Sequence, residues 1–311
     1  MPTPVSAPIG WITDRSIVRR IVTEFGPARR VAERFVAGDT LEAGMDAARQ
    51  LHQLGIAAML DLLGENVSST AQAAEAADTY IRHLKRIRES PDLDCNISVK
   101  LTQLGMDVTL DLCRENMERV LQVAAESTPP TLVMIDMESS DYVDRTLQVY
   151  LDLRARFPNV GVCLQSNLRR TAEDARHIGG PSAIVRMTKG AYLEPHDVAF
   201  HHRRDVDAGF ARTSATLLAS GAIVHFATHD PRLIQGARSF VRSRGIQSSR
   251  YEFQMLYGIR RDLQSQLVRE REPVRVYVPY GTQWYPYLTR RLVERPANVW
   301  FFLSNALRRG G

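Results

Sequence analysis

The sequence is poor in the features that mark secreted and membrane proteins. Its three cysteines, Cys95, Cys113 and Cys163, lie far apart in 311 residues and form no CxxC pair. This scarcity argues against a disulfide framework and a thiolate metal site, and it favours a reducing cytoplasm. No run approaches 18 consecutive apolar residues, and the N-terminus lacks the basic and apolar segments of a secretory signal. We therefore expect a cytoplasmic protein.

Several ligand-binding motifs are missing as well. There is no GxGxxG and no P-loop, so a Rossmann or Walker phosphate site is not supported. There is no HExxH or comparable ligand set, and we expect no metal site; His196, His201 and His202 are predicted on one helix. The net charge of +5 comes from arginines that alternate with acids through every segment, without a basic tail. We therefore do not expect nucleic-acid binding.

Lysine is scarce relative to arginine. Of the 40 basic residues, 37 are arginines and three are lysines, at Lys85, Lys100 and Lys189. Where arginine is so strongly preferred, a retained lysine indicates a need for a compact point charge or a titratable amine. The positions of these lysines therefore carry information.

The composition that remains is that of an ordinary globular domain, with 44% hydrophobic and 24% charged residues and no break or linker. Apolar residues recur at three- and four-residue spacing between about residues 14 and 54, for example in ARRVAERFVA, which predicts helices. Asp39 with Glu42 is predicted to form a capping box that opens the last of them. We expect residues 1–55 to form a helical segment packed on the main domain.

From residue 56 onward, short β-branched runs alternate with longer amphipathic stretches. Strongly apolar strands fit burial on both faces of a parallel sheet. Eight β-then-α units match a (β/α)8 TIM-type barrel better than an open doubly wound sheet, so we predict one barrel over residues 56–311. The strand runs are IAAMLDLL from Ile56, NISVKL from Asn96, TLVMIDM from Thr131, NVGVCLQ from Asn159, SAIVRMTKG from Ser182, AIVHFATH from Ala222, RYEFQML from Arg250 and VRVYVPYG from Val274.

Each of these predicted strands carries a polar or charged residue near its carboxyl end or is followed by one. In such barrels the chemistry lies at the carboxyl ends of the strands and in the loops that follow. Because an unpaired buried charge costs several kcal/mol, these groups are expected to face one another, water or a ligand. The set is Glu65, Lys100, Asp136, Gln165, Arg186 with Lys189, Thr228 with His229, Gln254, and Tyr277.

The last unit, YVPYGTQWYPYLTRRL over residues 277–292, combines aromatic rings with two adjacent arginines. On a helix, Tyr287, Arg290 and Arg291 share one face. A ring beside two guanidinium groups suits a small ligand with a carboxylate at one end and an apolar body. The alternative is a surface arginine pair that bonds Glu294 along the same helix. Three further aromatics of this stretch, Tyr280, Trp284 and Tyr285, receive no role.

The order of these motifs resembles the proline dehydrogenase family, FAD-dependent (β/α)8 enzymes of proline catabolism. The resemblance runs from LDLLGE at Leu60 to the region around Phe302. The spacing of Tyr277 and Tyr287 resembles the single-domain bacterial branch, and we expect no aldehyde dehydrogenase half because the sequence ends near the barrel. The matching motifs are ISVKL, VMIDME, CLQSNLRR, VRMTKGAY, FATHDP, YEFQMLYG, RVYVPYG and YPYLTRRLVE.

The resemblance implies a role for each matching position. Arg290, Arg291 and Lys100 are expected to bind the substrate carboxylate, beside Tyr277 and Tyr287. Glu65 is expected to pair with Arg290 and close the site. Glu294 is a further expected cofactor contact. Asp136 and Arg186 are the expected catalytic pair, with Arg186 beside the flavin N5 edge and Asp136 orienting it or accepting a proton. The other expected cofactor contacts are Met137, Gln165, Lys189, Gly190, Ala191, Thr228, His229 and Gln254.

The implied reaction is oxidation of L-proline to Δ1-pyrroline-5-carboxylate, by hydride transfer to non-covalent FAD. The electrons are expected to pass to a membrane quinone, with peripheral contact at the inner membrane. Two other functions remain open from the residues alone. One is a Schiff-base lyase or aldolase that uses Lys100 or Lys189. The other is a barrel that senses an amino acid without turning it over.

Overall fold

The computed structural model describes residues 34–284 and 287. Eight parallel strands close into a barrel in sequence order, and β8 pairs with β1 to complete it. The predicted (β/α)8 barrel is therefore confirmed. The strands are β1 Ala57–Leu62, β2 Cys95–Val99, β3 Val133–Ile135, β4 Val160–Gln165, β5 Ile184–Thr188, β6 Ile223–Ala227, β7 Tyr251–Leu256 and β8 Val274–Tyr280.

Helices alternate with the strands. Among the described residues, α1 precedes β1 and one α-helix follows each strand from β1 to β7. Hydroxyl or carboxylate side chains of Ser69, Thr109 and Asp230 accept backbone N–H bonds at the starts of three helices, which satisfies donors that the helix itself leaves open. The helices are α1 Leu41–Gln53, α2 Thr70–Arg88, α3 Leu110–Ala125, α4 Val143–Arg154, α5 Thr171–Ile178, α6 Arg203–Ala219, α7 Pro231–Ser243 and α8 Arg261–Arg269.

The start of α1 corrects two sequence predictions. The described end of ARRVAERFVA, residues 34–37, is not helical. The helix begins at Leu41, and its N-cap is Thr40, whose Oγ1 accepts from the Ala43 backbone N–H at 3.3 Å, so the predicted cap at Asp39 was one residue early.

The backbone before α1 bonds the end of β8, which explains why this stretch is not helical. The Ala37 N–H donates to the Pro279 carbonyl at 2.8 Å, and the Gly281 N–H donates to the Gly38 carbonyl at 2.8 Å. These groups are therefore not free for helical bonds. A fixed connection at this point holds the N-terminal side of α1 on the barrel.

The three neighbouring histidines were also misplaced, because α6 begins at Arg203 and they precede it. The segment is tied to the loop after β4 instead: the Phe200 N–H donates to the Asn167 carbonyl at 2.7 Å, and Leu168 bridges Ala199. The rings of His196 and His201 stack there with centroids 3.7 Å apart.

Tyr280, unassigned from sequence, belongs to the core between α1, α2 and β8. A Cβ on Gly44 of α1 would lie 3.2 Å from a ring carbon of Tyr280, so the small residue lets the helix approach closely. The Tyr280 hydroxyl lies 2.6 Å from Nδ1 of His83 on α2, which satisfies the buried phenol. Trp284 packs against a small separate cluster formed by Phe35, Val36, Leu63 and Tyr287.

The main core lies between the strands and the helices that surround them. Most strand residues are buried, as expected for a parallel sheet covered on both faces. The three cysteines are free and buried within it. In the part of the chain that the structure describes, no helix combines the length and apolar character needed to cross a bilayer.

Candidate active site

A cavity of about 750 Å³ opens at the carboxyl ends of the strands. All eight strands, or the residues directly after them, contribute to its lining. The structure therefore brings together most of the residues that the sequence singled out. Those that line it are Lys100, Asp136, Met137, Gln165, Arg186, Lys189, Gly190, Ala191, Thr228, His229, Gln254, Tyr277 and Tyr287.

Asp136, directly after β3, is the centre of a buried hydrogen-bond cluster. Its carboxylate accepts from Ser98 Oγ at 2.6 Å, from Arg186 at 2.6 Å and from the Tyr277 hydroxyl at 2.7 Å. Burial opposes its ionisation, but Arg186 and Lys100 outweigh this and hold the pKa of Asp136 below its ordinary value. The carboxylate is therefore a fixed anion.

Arg186 projects from β5 and is held on several sides. Besides Asp136, its Nε donates to Gln254 Oε1 at 2.7 Å, its Nη2 contacts the sulfur of Met59, and its guanidinium lies 5.1 Å from the Tyr277 ring centroid. The guanidinium carries these donors on three nitrogens in one plane, whereas a lysine has a single ammonium nitrogen. Gln254 thus orients Arg186, in addition to lining the cavity.

Lys100 follows β2 and is committed to carboxylates. Its ammonium lies 2.7 Å from Asp61 and 3.7 Å from Asp136. Burial would lower its pKa, but these two carboxylates outweigh burial and raise the pKa well above its usual value. Lys100 is therefore a protonated point charge at neutral pH, which is the opposite of what a Schiff-base nucleophile requires.

Sequence reasoning missed Asp61, although it lines the cavity and is 1% exposed. Asp61 lies inside β1, whereas the predicted residue, Glu65, follows the end of that strand. The available signal was a lone acid that interrupts the apolar run AAMLDL. Successive side chains of a strand point to opposite faces of the sheet. If Leu60 and Leu62 face the helices, Asp61 therefore faces the interior of the barrel.

A second charged group lies at the ends of β5 and β6. Lys189 contacts Asp207 at 2.5 Å and Asp230 at 3.1 Å, and Arg203 contacts Asp230 at 2.6 Å. Burial would raise the pKa of Asp230, but these bonds lower it well below its ordinary value. Asp230 and Pro231 also begin α7, so the positive end of that helix dipole faces the cavity. Asp230 and Arg203 were not predicted.

Loop residues complete the wall between β4 and β5. The Gln165 amide donates to the Glu138 carbonyl at 2.8 Å and accepts from the Ala191 N–H at 3.4 Å. Gly190 has φ +104°, and a Cβ there would lie 2.1 Å from Asn167 Oδ1, so a larger residue does not fit. The wall presents backbone rather than side chain at this point.

Two other predicted residues have defined partners. His229 Nε2 accepts from the Leu256 N–H at 2.9 Å, which joins the loop after β6 to β7. Tyr287 is buried, lines the cavity and packs with Phe35, Val36 and Leu63.

Glu138, also missed from sequence, lies two residues past Asp136 and lines the cavity. Its carboxylate accepts from the Thr102 backbone N–H at 3.2 Å and from Thr102 Oγ1 at 2.7 Å. Burial raises the pKa of Glu138 to about 7, against the lowering effect of the Thr102 bonds. The sequence signal was the second acid of VMIDME, which had been passed over in favour of the first.

One predicted residue is absent from the described lining of the cavity, and three lie outside the described residues. Glu65 is half-buried after β1 and is not among the described residues that line the cavity. Arg290, Arg291 and Glu294 lie outside the described residues, and their roles stay predictions. Among the described residues, no cluster of three or more His, Cys, Asp or Glu side chains could hold a metal ion.

A cavity at the carboxyl ends of a closed (β/α)8 barrel, with paired charges fixed in its lining, is the arrangement of a barrel enzyme. The family model described as proline dehydrogenase matches residues 44–303. The chain belongs to the proline dehydrogenase family, which confirms the resemblance drawn from the sequence motifs.

Individual relatives agree with this assignment. Proline dehydrogenase of Deinococcus radiodurans is 40% identical over 283 residues, covering 89% of this chain and 90% of that protein. Proline dehydrogenase 1 of Bacillus subtilis subsp. natto is 37% identical over 293 residues, covering 93% and 96%. A crystal structure of proline utilization A from Bdellovibrio bacteriovorus, inactivated by N-propargylglycine, covers 89% of this chain and 34% of that chain, with TM-score 0.80 and 21% identity. That likeness shows the fold.

Proposed function

We propose that this protein oxidises L-proline to Δ1-pyrroline-5-carboxylate with non-covalently bound FAD. Membership of the proline dehydrogenase family supports the substrate. The observation that carries the proposal is the buried cluster of Asp136, Arg186, Lys100 and Tyr277, which is rigid, charged and open to a cavity of about 750 Å³. That volume lies within the usual range for cofactor and small-ligand sites.

The cavity residues fit FAD. The N-terminus of α7, the Lys189 and Arg203 cations and the backbone at Gly190 provide groups of the kind that hold phosphates. Arg186 and Gln165 provide the fixed hydrogen-bond donors that suit the heteroatoms of a flavin ring. Met137 adds an apolar contact.

The chain's own residues then divide the work of the reaction. Bound FAD would accept a hydride from the ring carbon next to the substrate nitrogen. Arg186, locked by Asp136 and Gln254, holds positive charge where the ring system becomes electron-rich. Tyr277 and Tyr287 enclose the apolar ring, and Lys100 contributes positive charge toward the carboxylate. Arg290 and Arg291, outside the described residues, are the further cations predicted for that carboxylate. The protein mainly positions the reactants and stabilises charge.

We also propose that the electrons pass to a membrane quinone during peripheral contact with the inner membrane. One supporting observation is Leu193, which is 91% exposed and adjoins Tyr192 of the cavity lining. Steady-state proline oxidation coupled to a quinone in lipid vesicles should exceed the rate with the same vesicles lacking quinone. Equal rates would contradict this part of the proposal.

The main experiment is anaerobic addition of proline to purified protein incubated with FAD. Retention of yellow flavin and its bleaching by proline support the proposal. Protein that retains no flavin and gains none on incubation would contradict it. Flavin that binds but does not bleach, with saturable proline binding, would indicate the sensing barrel. Colourless protein trapped covalently by borohydride with a carbonyl substrate would indicate the lyase.

The arginine pair can be tested separately. Arg291→Met is expected to raise the KM for proline severely while flavin stays bound, because the guanidinium is assigned to the substrate carboxylate. Equilibrium FAD binding, measured beside steady-state kinetics, separates the two ligands. Loss of flavin with unchanged KM would show that the pair belongs to the cofactor.

A further inference from the structure

Among the described residues, one carboxylate of the cavity differs from the others in forming no ion pair. Asp61 and Asp136 each lie within 2.7 Å of a cationic side chain, and Asp230 lies 2.6 Å from Arg203. Glu138 is 5% exposed, and within the described residues its carboxylate bonds Thr102 and forms no ion pair.

A buried carboxylate without a cation is costly, and such a group either protonates or serves a ligand. Four titratable groups lie close enough to Glu138 to interact with its charge: Lys100 after β2, Glu65 after β1, Cys113 on α3 and Tyr142 before α4. Lys100 supplies the attraction and Glu65 the repulsion. The outcome is a pKa of about 7, the value at which a carboxylate exchanges a proton most effectively near neutral pH.

The other groups of the cluster are poorly suited to take up a proton. The Asp136 carboxylate is filled by Ser98, Arg186 and Tyr277, and its pKa is lowered. Lys100 is already protonated beside Asp61. The Tyr277 hydroxyl donates its proton to Asp136.

We propose that Glu138 is the proton acceptor of this site, taking the proton that the substrate nitrogen releases when the ring is oxidised. This rests on the proposed function. The substrate ammonium gives one proton to the Glu138 carboxylate. The lone pair left on nitrogen forms the C=N bond as the neighbouring carbon loses hydride to the flavin. The proton leaves Glu138 for solvent once the product departs.

The first test observes Glu138 directly in protein without cofactor. Carbon-13 NMR of protein labelled at glutamate carboxyls should show one buried group titrating near pH 7, and Glu138→Gln should lack it. Glu194→Gln is the matched control, because Glu194 is also buried and accepts from the N–H and hydroxyl of Ser140, at 2.8 and 2.5 Å, but does not line the cavity. That variant should keep the titration. A wild-type protein without a carboxyl titrating above pH 6 would overturn the proposal.

The second test follows kcat/KM for proline against pH. Wild type should lose activity below about pH 7, and Glu138→Gln should be 10²- to 10⁴-fold slower at pH 7.5 and lack that limb. Glu138→Asp, which keeps a carboxylate, should recover part of the rate. Thr102→Val removes a hydrogen bond that lowers the pKa, so it should move the midpoint to higher pH.

These outcomes separate the two proposals. If wild type does not oxidise proline, the proposed function fails, while the NMR titration still reports on Glu138. If wild type oxidises proline and Glu138→Gln keeps both the rate and the pH profile, the assignment of Glu138 alone is overturned. Should the glutamine variant not fold, an unshifted profile in Thr102→Val together with full activity in a folded Glu138→Ala variant would overturn it instead.

Discussion

Buried charges lie at both ends of the barrel, but they are arranged differently. At the amino end, Arg275 on β8 bonds Glu252 at 3.0 Å, Asp94 at 2.9 Å and the Ala58 carbonyl at 2.9 Å. These groups do not line the cavity. At the carboxyl end, the Asp136 cluster opens onto it. Asp94 is exposed, but Arg275 and Glu252 are shielded from solvent without lining the cavity. Burial of charge therefore does not by itself identify a site, and an opening onto the cavity distinguishes the Asp136 cluster.

The pKa values of two glutamates, one at each end, show the difference. Burial opposes ionisation of Glu252, but Arg275 outweighs it and lowers the pKa to about 2. Burial without a cation partner raises the pKa of Glu138 to about 7. The two ends are connected, since Gln254 contacts Arg186 at 2.7 Å and Glu252 at 2.5 Å. Gln254 thus links the ion pair of Glu252 and Arg275 at the amino end to Arg186 at the carboxyl end.

Arg275→Met should produce the largest effect on stability, because it leaves Glu252 buried without its partner. We expect a loss of about 3–5 kcal/mol in the free energy of unfolding at pH 7, measured by urea denaturation. The stabilisation of a lowered carboxyl pKa is present above its unfolded value and is lost as pH falls toward 2, so the deficit should shrink on acidification. Arg242→Met is the control, since Glu272 keeps Arg238 and Tyr251. Equal losses in both variants would contradict the comparison.

Glu138→Gln should show the opposite dependence on pH. The folded state binds the Glu138 proton more tightly than the unfolded state, so its stabilisation is complete below about pH 4.5 and is lost as pH rises to about 7. The variant should therefore gain about 3 kcal/mol relative to wild type across that window. Urea denaturation at several pH values measures this, and parallel stability curves would show that Glu138 is not perturbed.

Arg186→Lys tests whether the Asp136 cluster needs the geometry of the guanidinium group or only its positive charge. A lysine carries its donors on one nitrogen and cannot reproduce the separate Nε bond to Gln254 and Nη1 bonds to Asp136 and Ser98, so we expect about a 100-fold slower reduction of bound flavin by proline in stopped flow. Arg154→Lys, whose arginine bonds backbone carbonyls away from the cavity, should leave the rate unchanged. A wild-type rate in Arg186→Lys would mean that charge alone suffices.

Asp230 shares a feature with each end of the barrel. It lines the cavity, as the Asp136 cluster does, and it forms an ion pair with Arg203 while capping α7. Asp230→Ala should lower the free energy of unfolding by about 1 kcal/mol through loss of the cap. Asp230→Asn should lose less, since asparagine caps equally well. An equal loss in the two variants would show that the charge, rather than the cap, is what matters.

Much of this fold was readable from local patterns. The eight strands were predicted from short apolar, β-branched runs, and the seven described helices that follow them from the amphipathic stretches between those runs. Both are patterns of neighbouring residues. Lys100, Asp136 and Arg186 were identified because they end or follow strands. The errors were local too: the cap at Thr40 was placed one residue early, and the histidines before α6 were assigned to a helix because contacts with the loop after β4 are invisible in sequence.

By itself, the sequence determined the (β/α)8 barrel and the end of it at which the polar residues gather, since apolar runs and strand ends are local properties. Only the tertiary structure decided which side chains form ion pairs and hydrogen bonds with one another. Asp61 and Lys100 are 39 residues apart, and Arg186 and Gln254 are 68 apart. Such pairings depend on strand register around a closed barrel. For the same reason, only the folded chain shows that Glu138 lies near these charges, bonded to Thr102 and forming no ion pair with a described residue.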